Sequence, residues 1–414
     1  MTYEQAEAYL LDLELFGMRF GLDRMQKLMT VLGMPQRRFA SVHVVGSNGK
    51  SSTVRMIAAI LERHGLRTGA YTSPHLRTFA ERIEVGETPV SDADFAAAVT
   101  RVAHAAEMVN RTAAPDDRVT QFEALTAAAY HELARRGVEV AVIEAGLGGR
   151  WDATNVIPSK VQVLTSVGLE HTRWLGPTLA DIAEEKLDVV RHHATLVAGD
   201  LPPEAELVAE RVVADRHARF LRVEPVGAHE FPLRARGPFQ RRNFALARAA
   251  AGAFLGSLDA RLVASAAAEV EVPGRLELMS SDGPLVFHDG AHNPAGARAL
   301  AEALPEVAEG RRLVAVMGVL DDKDAASMLG ELLPVCDAAV FTRTSNPRAL
   351  PPATLAALAA QVGGPPSECV ADPHAAVERA RELAGPGGAV IATGSIYLIA
   401  DLRREPGAAR ASRL

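Results

Sequence analysis

One junction constrains the fold more than any other feature. A short β-rich run, Phe39-Ala-Ser-Val-His-Val-Val45, leads into Gly46-Ser-Asn-Gly-Lys-Ser-Ser52, and a helical pattern continues from there through Arg63. Strand, glycine turn, Lys-Ser and helix, in that order, form a cradle for phosphate. Backbone N–H groups at the start of the helix face an anion, the lysine adds charge, and a hydroxyl can reach Mg²⁺. The strict G-x-x-x-x-G-K-[ST] spacing lacks its first glycine, since Val44 stands there. A plain glycine turn is the competing reading; the strand before and the helix after favour the phosphate loop.

Short apolar runs alternate with helical periods along the rest of the chain. Thr2-x-x-Gln5 is a capping-box pattern opening a first helix through Ala6, Leu10, Leu13 and Leu15. Val138 to Glu144 and Val161 to Val167 read as buried parallel strands. A second series begins near Leu285, with strand-like runs at 285–289, 313–319, 338–342, 368–371 and 389–393. Helical patterns between them start near Pro294, Lys323, Pro352 and His374. The expected class is α/β: an N-terminal P-loop ATPase-type domain with a mainly parallel sheet, and a smaller C-terminal Rossmann-like domain. The turn chemistry of Ser280-Ser-Asp-Gly-Pro284 marks the expected linker, giving domains at 1–279 and 285–403 and a frayed tail at 404–414.

Composition narrows the function. At 414 residues the chain has room for two or three domains, and 48% hydrophobic residues supply real cores. A net charge of −7 with no long single-sign run argues against duplex nucleic acid as partner. No apolar stretch reaches the roughly 18 residues of a membrane span. Glu4, Glu7, Asp12 and Glu14 give the N-terminus the wrong sign for a secretory signal, and Cys336 and Cys369 are too few for a disulfide framework. A cytoplasmic protein is expected.

Only five of the 44 basic residues are lysines: Lys27, Lys50, Lys160, Lys186 and Lys323. Where arginine serves nearly everywhere, a retained lysine can mark a need for a compact or deprotonatable amine, with chance the alternative. Three of the five fall in motifs found on other grounds.

Those motifs gather at strand ends. Glu144-Ala-Gly-Leu-Gly-Gly-Arg-Trp-Asp-Ala-Thr-Asn155 follows a strand, so Glu144 is placed to hold a metal, or is a strand-end carboxylate on a solvated loop. His171 lies just beyond the next strand at the same edge; alone it reads as a structural histidine, beside Glu144 as a ligand. Lys186 follows Glu184 and Glu185 on a helix, where a solvated ion-pair partner is the ordinary role. Asp289-Gly-Ala-His-Asn-Pro294 suits a nucleotide or carboxylate edge, or a simple turn into a helix. Gly318-Val-Leu-Asp-Asp-Lys-Asp324 repeats it on the next strand.

Taken in order, Gly46 to Thr53, Tyr71-Thr-Ser-Pro-His-Leu76, Thr120-Gln-Phe-Glu123, Glu144 to Asn155, His171 with Lys186, Pro273-Gly-Arg275 and Asp289 to Pro294 resemble the folylpolyglutamate synthases, including the bifunctional dihydrofolate synthases. These are Mur-type amide ligases, and the likeness spans roughly residues 2 to 400. It implies that ATP converts a carboxylate to an acyl phosphate, which L-glutamate then attacks, the acceptor being dihydropteroate or a folate. It also implies ATP and two Mg²⁺ ions as cofactors, no nucleic-acid or membrane partner, and a monomer.

Residue by residue, the resemblance gives Asn48, Gly49, Lys50, Ser51 and Ser52 to the ATP phosphates. Asn243, Arg275 and Asp289 become nucleotide contacts. Ser73, Glu144 and His171 become Mg²⁺ ligands. Lys50 and Lys186 are catalytic, Lys186 matching a lysine that becomes N-carboxylated, and His292 is placed beside the γ-phosphate or the incoming glutamate. Thr120, Gln121, Phe122, Glu123, Trp151, Asp152 and Ala153 match segments lining a pteridine pocket. The chain departs from the family at Gln121, at Trp151 and at Leu187-Asp-Val. Ser51 fits the general GK[ST] pattern, while Ser52 fits the family's hydroxyl position. The pocket-side departures motivate a rival reading, the same ligase chemistry on another acid. A nucleotide-binding regulator without catalysis is the reading from a different class.

Overall fold

The computed structural model describes residues 1–13, 21–114, 117–224 and 232–404. The chain divides into two compact units: Met1–Pro232 with Arg242–Val270, and Leu233–Arg241 with Glu271–Leu414. Both are α/β, as the alternation of elements predicts.

The first unit holds β1 (Ala40–Val45), β2 (Thr68–Tyr71), β3 (Ile83–Val85), β4 (Thr88–Pro89), β5 (Val140–Glu144), β6 (Val161–Leu164), β7 (Thr195–Ala198) and β8 (Arg219–Arg222). They form one sheet in the order β4-β3-β2-β5-β1-β6-β7-β8. The six strands from β2 to β8 run parallel, and β3 and β4 add an antiparallel edge. Every residue of β5, and all of β1 after Ala40, is buried. Such strands are rich in Val, Ile and Ala because helices cover both faces, with Ser41 and His43 the polar residues buried within β1. One flanking cluster contains Phe39, Phe79, Phe95 and Tyr130, and the other Leu164, Ile182, Leu187 and Leu196.

Register sets the site. Val44 pairs with Glu144, Val45 with Leu164, and Tyr71 with Ile143. The loops after β1, β2, β5 and β6 therefore leave the sheet at one edge, where open α/β sheets bind ligands. The helix Lys50–Arg63 follows β1 as expected. Thr2 and Gln5 form the expected capping box on Tyr3–Asp12, while Leu15 lies outside the described residues.

The second unit contains β9 (Glu277–Ser280), β10 (Leu285–His288), β11 (Leu313–Met317), β12 (Ala338–Phe341), β13 (Ser367–Cys369) and β14 (Ala389–Thr393), in the order β13-β12-β11-β14-β10-β9. All are parallel except β9, which pairs antiparallel with β10. Helices Pro294–Ala308, Ala325–Leu332, Pro352–Gln361 and Pro373–Ala384 begin within two residues of the expected starts.

Two expectations need correction. Residues 280–284 are not a linker: they connect β9 to β10 within one sheet, and the second unit already begins at Glu271 and also takes in Leu233–Arg241. Asp-Gly turn chemistry serves a tight hairpin as well as a boundary, and Gly283 adopts φ +79° there. The strand expected through Val167 ends at Leu164, because Thr165 and Ser166 turn their hydroxyls to the phosphate loop. Of the tail expected at 404–414, only Arg404 is described.

Candidate active site

The loop after β1 is built from backbone conformations and approaches that only glycine permits. Gly46 and Gly49 have φ +149° and +85°. A Cβ on Gly46 would meet Thr165 Oγ1 at 2.0 Å, and one on Gly49 would meet Asn243 Oδ1 at 2.4 Å. The loop after β6 braces it. Ser166 accepts from the Asn48 N–H at 2.9 Å, Thr165 Oγ1 donates to the Asn48 carbonyl at 2.6 Å, and Gly168 N–H donates to Ser47 Oγ at 3.0 Å. Gly49 caps the helix with no side-chain acceptor, which leaves the first-turn N–H groups to serve an anion. Lys50 Nζ folds across the loop, donating to the carbonyls of Gly46 at 2.9 Å and Ser47 at 3.2 Å. Asn243, expected at the nucleotide, thus sits against Gly49.

Glu144 is buried at the end of β5. Ser51 Oγ donates to its Oε1 at 3.0 Å, and the Ser73 N–H donates to Oε2 at 3.1 Å. Ser52 is 2% exposed and turned into the protein. Among the described residues no three His, Cys, Asp or Glu side chains are grouped so that they could hold a metal ion by themselves. The donor set is one carboxylate with neighbouring hydroxyls beside a phosphate loop. That suits Mg²⁺, a hard cation that prefers oxygen and takes several ligands from substrate phosphates and water. His171 lies exposed at φ +49°, at the start of the short helix Thr172–Leu175, and is not drawn into a ligand cluster with Glu144.

Lys186 departs most from the ordinary reading of a surface lysine. It is 1% exposed, on the helix Leu179–Leu187 that Thr178 and Asp181 cap, and its Nζ donates to the Gly46 carbonyl and to Glu170 Oε1, both at 3.0 Å. Burial, aided by the charge of Lys50, outweighs Glu170 and draws the Lys186 pKa down to about 8. Although burial works to raise the Glu170 carboxyl, the positive charges of Lys186 and Lys50 hold it down near 2. Sequence reasoning missed Glu170, along with Thr165 and Ser166; an acid directly before His171 was the available signal.

The pocket-side residues divide. Thr120 caps the helix Gln121–Arg135 in a box with Glu123. The Glu123 carboxylate also takes Arg24 Nε at 3.1 Å, and Gln121 Nε2 donates to the Leu10 carbonyl at 2.8 Å. Both polar groups are thus engaged within the protein. Phe122 instead packs on the glycine loop, since a Cβ on Gly146 would strike its ring at 2.5 Å, and lies 6.3 Å from Tyr71. Asp152 organises the same loop, accepting from the Leu147 N–H at 2.8 Å, the Thr154 N–H at 3.0 Å and the Thr154 hydroxyl. Burial raises its pKa above the usual carboxylate range. Ala153 is buried, and Trp151 is 39% exposed.

In the second unit the buried Asp289 accepts from the N–H groups of Leu276 and Ala291, each at 2.8 Å, fixing the turn after β10. Burial raises its pKa against the pull of Arg275, whose guanidinium lies where a Cβ on Gly290 would be, at 2.2 Å. His292 Nδ1 lies 2.8 Å from the Gly290 carbonyl, and Asn293 caps the helix that Pro294 opens.

A braced phosphate loop with an adjoining carboxylate, followed by a second parallel-sheet unit, suits an ATP-using enzyme, and the family models make it a Mur-type ligase. The Mur ligase middle domain matches residues 44–211, and the Mur ligase glutamate ligase domain matches residues 274–396. Over 382 residues the chain is 37% identical to the dihydrofolate synthase/folylpolyglutamate synthase of Mycobacterium tuberculosis, covering 83% of this chain and 78% of that one. Mycobacterium tuberculosis folylpolyglutamate synthase complexed with ADP matches with a TM-score of 0.91 and 34% identity, over 98% of this chain and 99% of that chain. An Escherichia coli relative in complex with DHPP and ADP matches with a TM-score of 0.87 and 27% identity, over 97% of each chain. The chain belongs to the dihydrofolate synthase/folylpolyglutamate synthase family.

Proposed function

We propose that this protein uses ATP to join the amino group of L-glutamate to the carboxylate of dihydropteroate, of a glutamyl folate, or of both. The observation that carries this reading is the meeting of Ser51 and the Ser73 N–H on the Glu144 carboxylate, beside the phosphate loop. A carboxylate is a poor acceptor for an amine. Transfer of the γ-phosphoryl group to its oxygen gives an acyl phosphate and ADP; the neutral amine of glutamate then attacks the acyl carbon, phosphate leaves, and the amine gives up a proton.

Asn48, Gly49, Lys50, Ser51 and Ser52 would hold the phosphates through the helix N-terminus, with Lys50 swinging from the Gly46 and Ser47 carbonyls to the β,γ-phosphate oxygens. Asn243 would meet the nucleotide above Gly49. Glu144 and Ser51 would hold a magnesium ion, with Ser73 at its edge, and His171 would serve a second. A magnesium ion held there would supply charge neutralisation to the phosphates. Lys186, once N-carboxylated, would turn from a cation into an anion at that site. Phe122, Trp151 and Ala153 would line the pterin pocket, with Thr120, Gln121, Glu123 and Asp152 shaping its walls. On the second unit, Arg275 and Asp289 are assigned to the nucleotide and His292 to the γ-phosphate or the glutamate. We keep the expectation of a cytoplasmic monomer, which sedimentation of the purified protein tests.

The rival acid substrate loses one of its two motives, because the Gln121 amide is bonded to Leu10 rather than presented to a ligand. The deciding experiment measures phosphate release from ATP and Mg²⁺ with L-glutamate, comparing dihydropteroate, tetrahydrofolate and no acceptor, with products weighed by mass spectrometry. A product heavier by one glutamyl unit is expected, and Lys50→Ala should abolish it while the protein stays folded. No release with either pterin would move the reaction to a different carboxylate.

A further inference from the structure

The opposite edge of the first sheet carries a cavity of about 930 Å³. It opens where β1, β6 and β7 begin: Lys160 N–H donates to the Ser41 carbonyl, and Thr195 N–H to the Lys160 carbonyl, each at 3.1 Å. The phosphate loop leaves the far end of β1, about 20 Å away at roughly 3.3 Å per residue. The cavity is therefore well separated from the phosphate loop, while its lining residue Asn155 shares the short helix Ala153–Val156 with the pocket-side residue Ala153.

Its charge is one-sided, carried by Arg37, Lys160 and Arg191. Arg37, Lys160, Arg191, His192 and His193 line it, and no lining residue is acidic. Across this chain arginines usually meet carboxylates, as Arg135 meets Glu132 and Arg379 meets Glu368. Here Arg191 donates only to neutral acceptors, the Asn155 carbonyl at 2.7 Å, the Asn155 side chain at 2.6 Å and the Ile157 carbonyl at 3.2 Å. The nearby carboxylate, Asp188, stands between Arg150 at 3.7 Å and Arg216 at 3.6 Å. Arg37 and Lys160 are exposed at its mouth and Arg191 is half-buried, so the space presents positive charge to solvent with no carboxylate in its lining to meet it.

A second observation points the same way. Gln36 lines the cavity and is 2% exposed, yet its buried Oε1 has no partner, and its Nε2 reaches only Met34 Sδ at 3.9 Å. Buried polar atoms are almost always hydrogen-bonded, so the unpaired Gln36 oxygen marks a place where a polar ligand completes the bonding.

We propose that this cavity is a second ligand site, taking a small multivalent anion that bears phosphate groups or several carboxylates. Arg37 and Lys160 engage its charges at the rim, Arg191 and the two histidines flank them, and Gln36 accepts from an N–H or O–H of the ligand. The volume suits a ligand of sugar-bisphosphate or tripeptide size.

The test uses the full chain saturated with ADP and Mg²⁺, so that the phosphate loop is filled. Fructose 1,6-bisphosphate and γ-linked triglutamate are titrated separately by calorimetry into the wild type and into the double variant Arg37→Ala, Lys160→Ala. The expected result is one bound probe per chain, weakened at least about tenfold in the double variant, whose ligase turnover without the probe is unchanged. Binding of the bisphosphate alone assigns a phosphorylated ligand, binding of triglutamate alone a polycarboxylate, and either supports the site. If neither probe binds, or both variant and wild type bind equally, the proposal fails.

Discussion

Ser51 gives its hydroxyl hydrogen bond to Glu144 Oε1 at 3.0 Å, tying the first turn after the phosphate loop to the end of the neighbouring strand. Ser52, one residue on, faces the interior. The two hydroxyls thus separate into one at the candidate metal carboxylate and one in the packing. Ser51→Ala should lower kcat/KM for ATP by about a hundredfold with little change in Tm. Ser52→Ala should lower turnover less than about tenfold. Steady-state phosphate release and thermal unfolding of both variants decide it; a reversed order would give the metal-facing role to Ser52.

Lys186→Ala should reduce turnover by at least about a hundredfold, since it removes a buried charge that contacts both the phosphate loop and Glu170. Loss of rate alone would not distinguish a positioning cation from a carbamate. Added acetate should restore part of the rate in the Lys186→Ala protein, because a small carboxylate can stand in for the missing anion. A carbamate signal from ¹³C-labelled CO₂ should appear in the wild type and vanish in the variant. Full activity in Lys186→Ala would discard the carbamate assignment.

Much of this was legible beforehand because central parallel strands advertise themselves. β5, β11 and β14 are apolar runs ending at or just before Glu, Gly or Thr, β1 is apolar apart from Ser41 and His43 and runs into Gly46, and each was found within a few residues. Less visible were β9, which sits beside hairpin turn residues that imitate a linker, and the edge strands β4 and β8, which lack buried runs. Local patterns singled out Lys50 and Glu144, while Lys186 stood out only through the scarcity of lysine and the family resemblance. They could not show that Lys186 is buried and paired with Glu170, since that contact joins a loop to a helix 16 residues later. Nor could they show that Gln121 and Glu123, read as pocket residues, hold Leu10 and Arg24 instead. Those partners lie 111 and 99 residues away.

Gly149 tests how tightly the loop after β5 must press on the helix carrying Lys186. A Cβ there would lie 2.6 Å from the Lys186 carbonyl and 2.8 Å from that of Glu185. These are backbone atoms, unable to swing aside as a side chain end could. Gly149→Ala should therefore displace the helix, costing about 1–3 kcal/mol in urea unfolding and lowering kcat more than it raises KM for ATP. Unchanged stability and rate would mean that the loop has slack and does not hold Lys186.

The fully buried His43 gives the first unit a pH dependence of known sign. Its Nε2 lies 2.8 Å from Thr154 Oγ1, and its Nδ1 has no partner. Burial first, and the charge of Arg191 second, hold its pKa down to about 3 from 6.5. As pH falls below 6.5 the unfolded chain takes up a proton that the folded chain refuses until about pH 3. The unfolded state therefore binds more protons across that window, and stability falls with pH. At pH 5 this one group costs about 2 kcal/mol relative to pH 7. Both tryptophans of the chain, Trp151 and Trp174, belong to the first unit, so their fluorescence during urea unfolding reports that unit. His43→Gln cannot titrate and should lose about 2 kcal/mol less than the wild type between pH 7 and pH 5. Equal losses in the two proteins would show that the His43 ring is accessible to protons in the folded state.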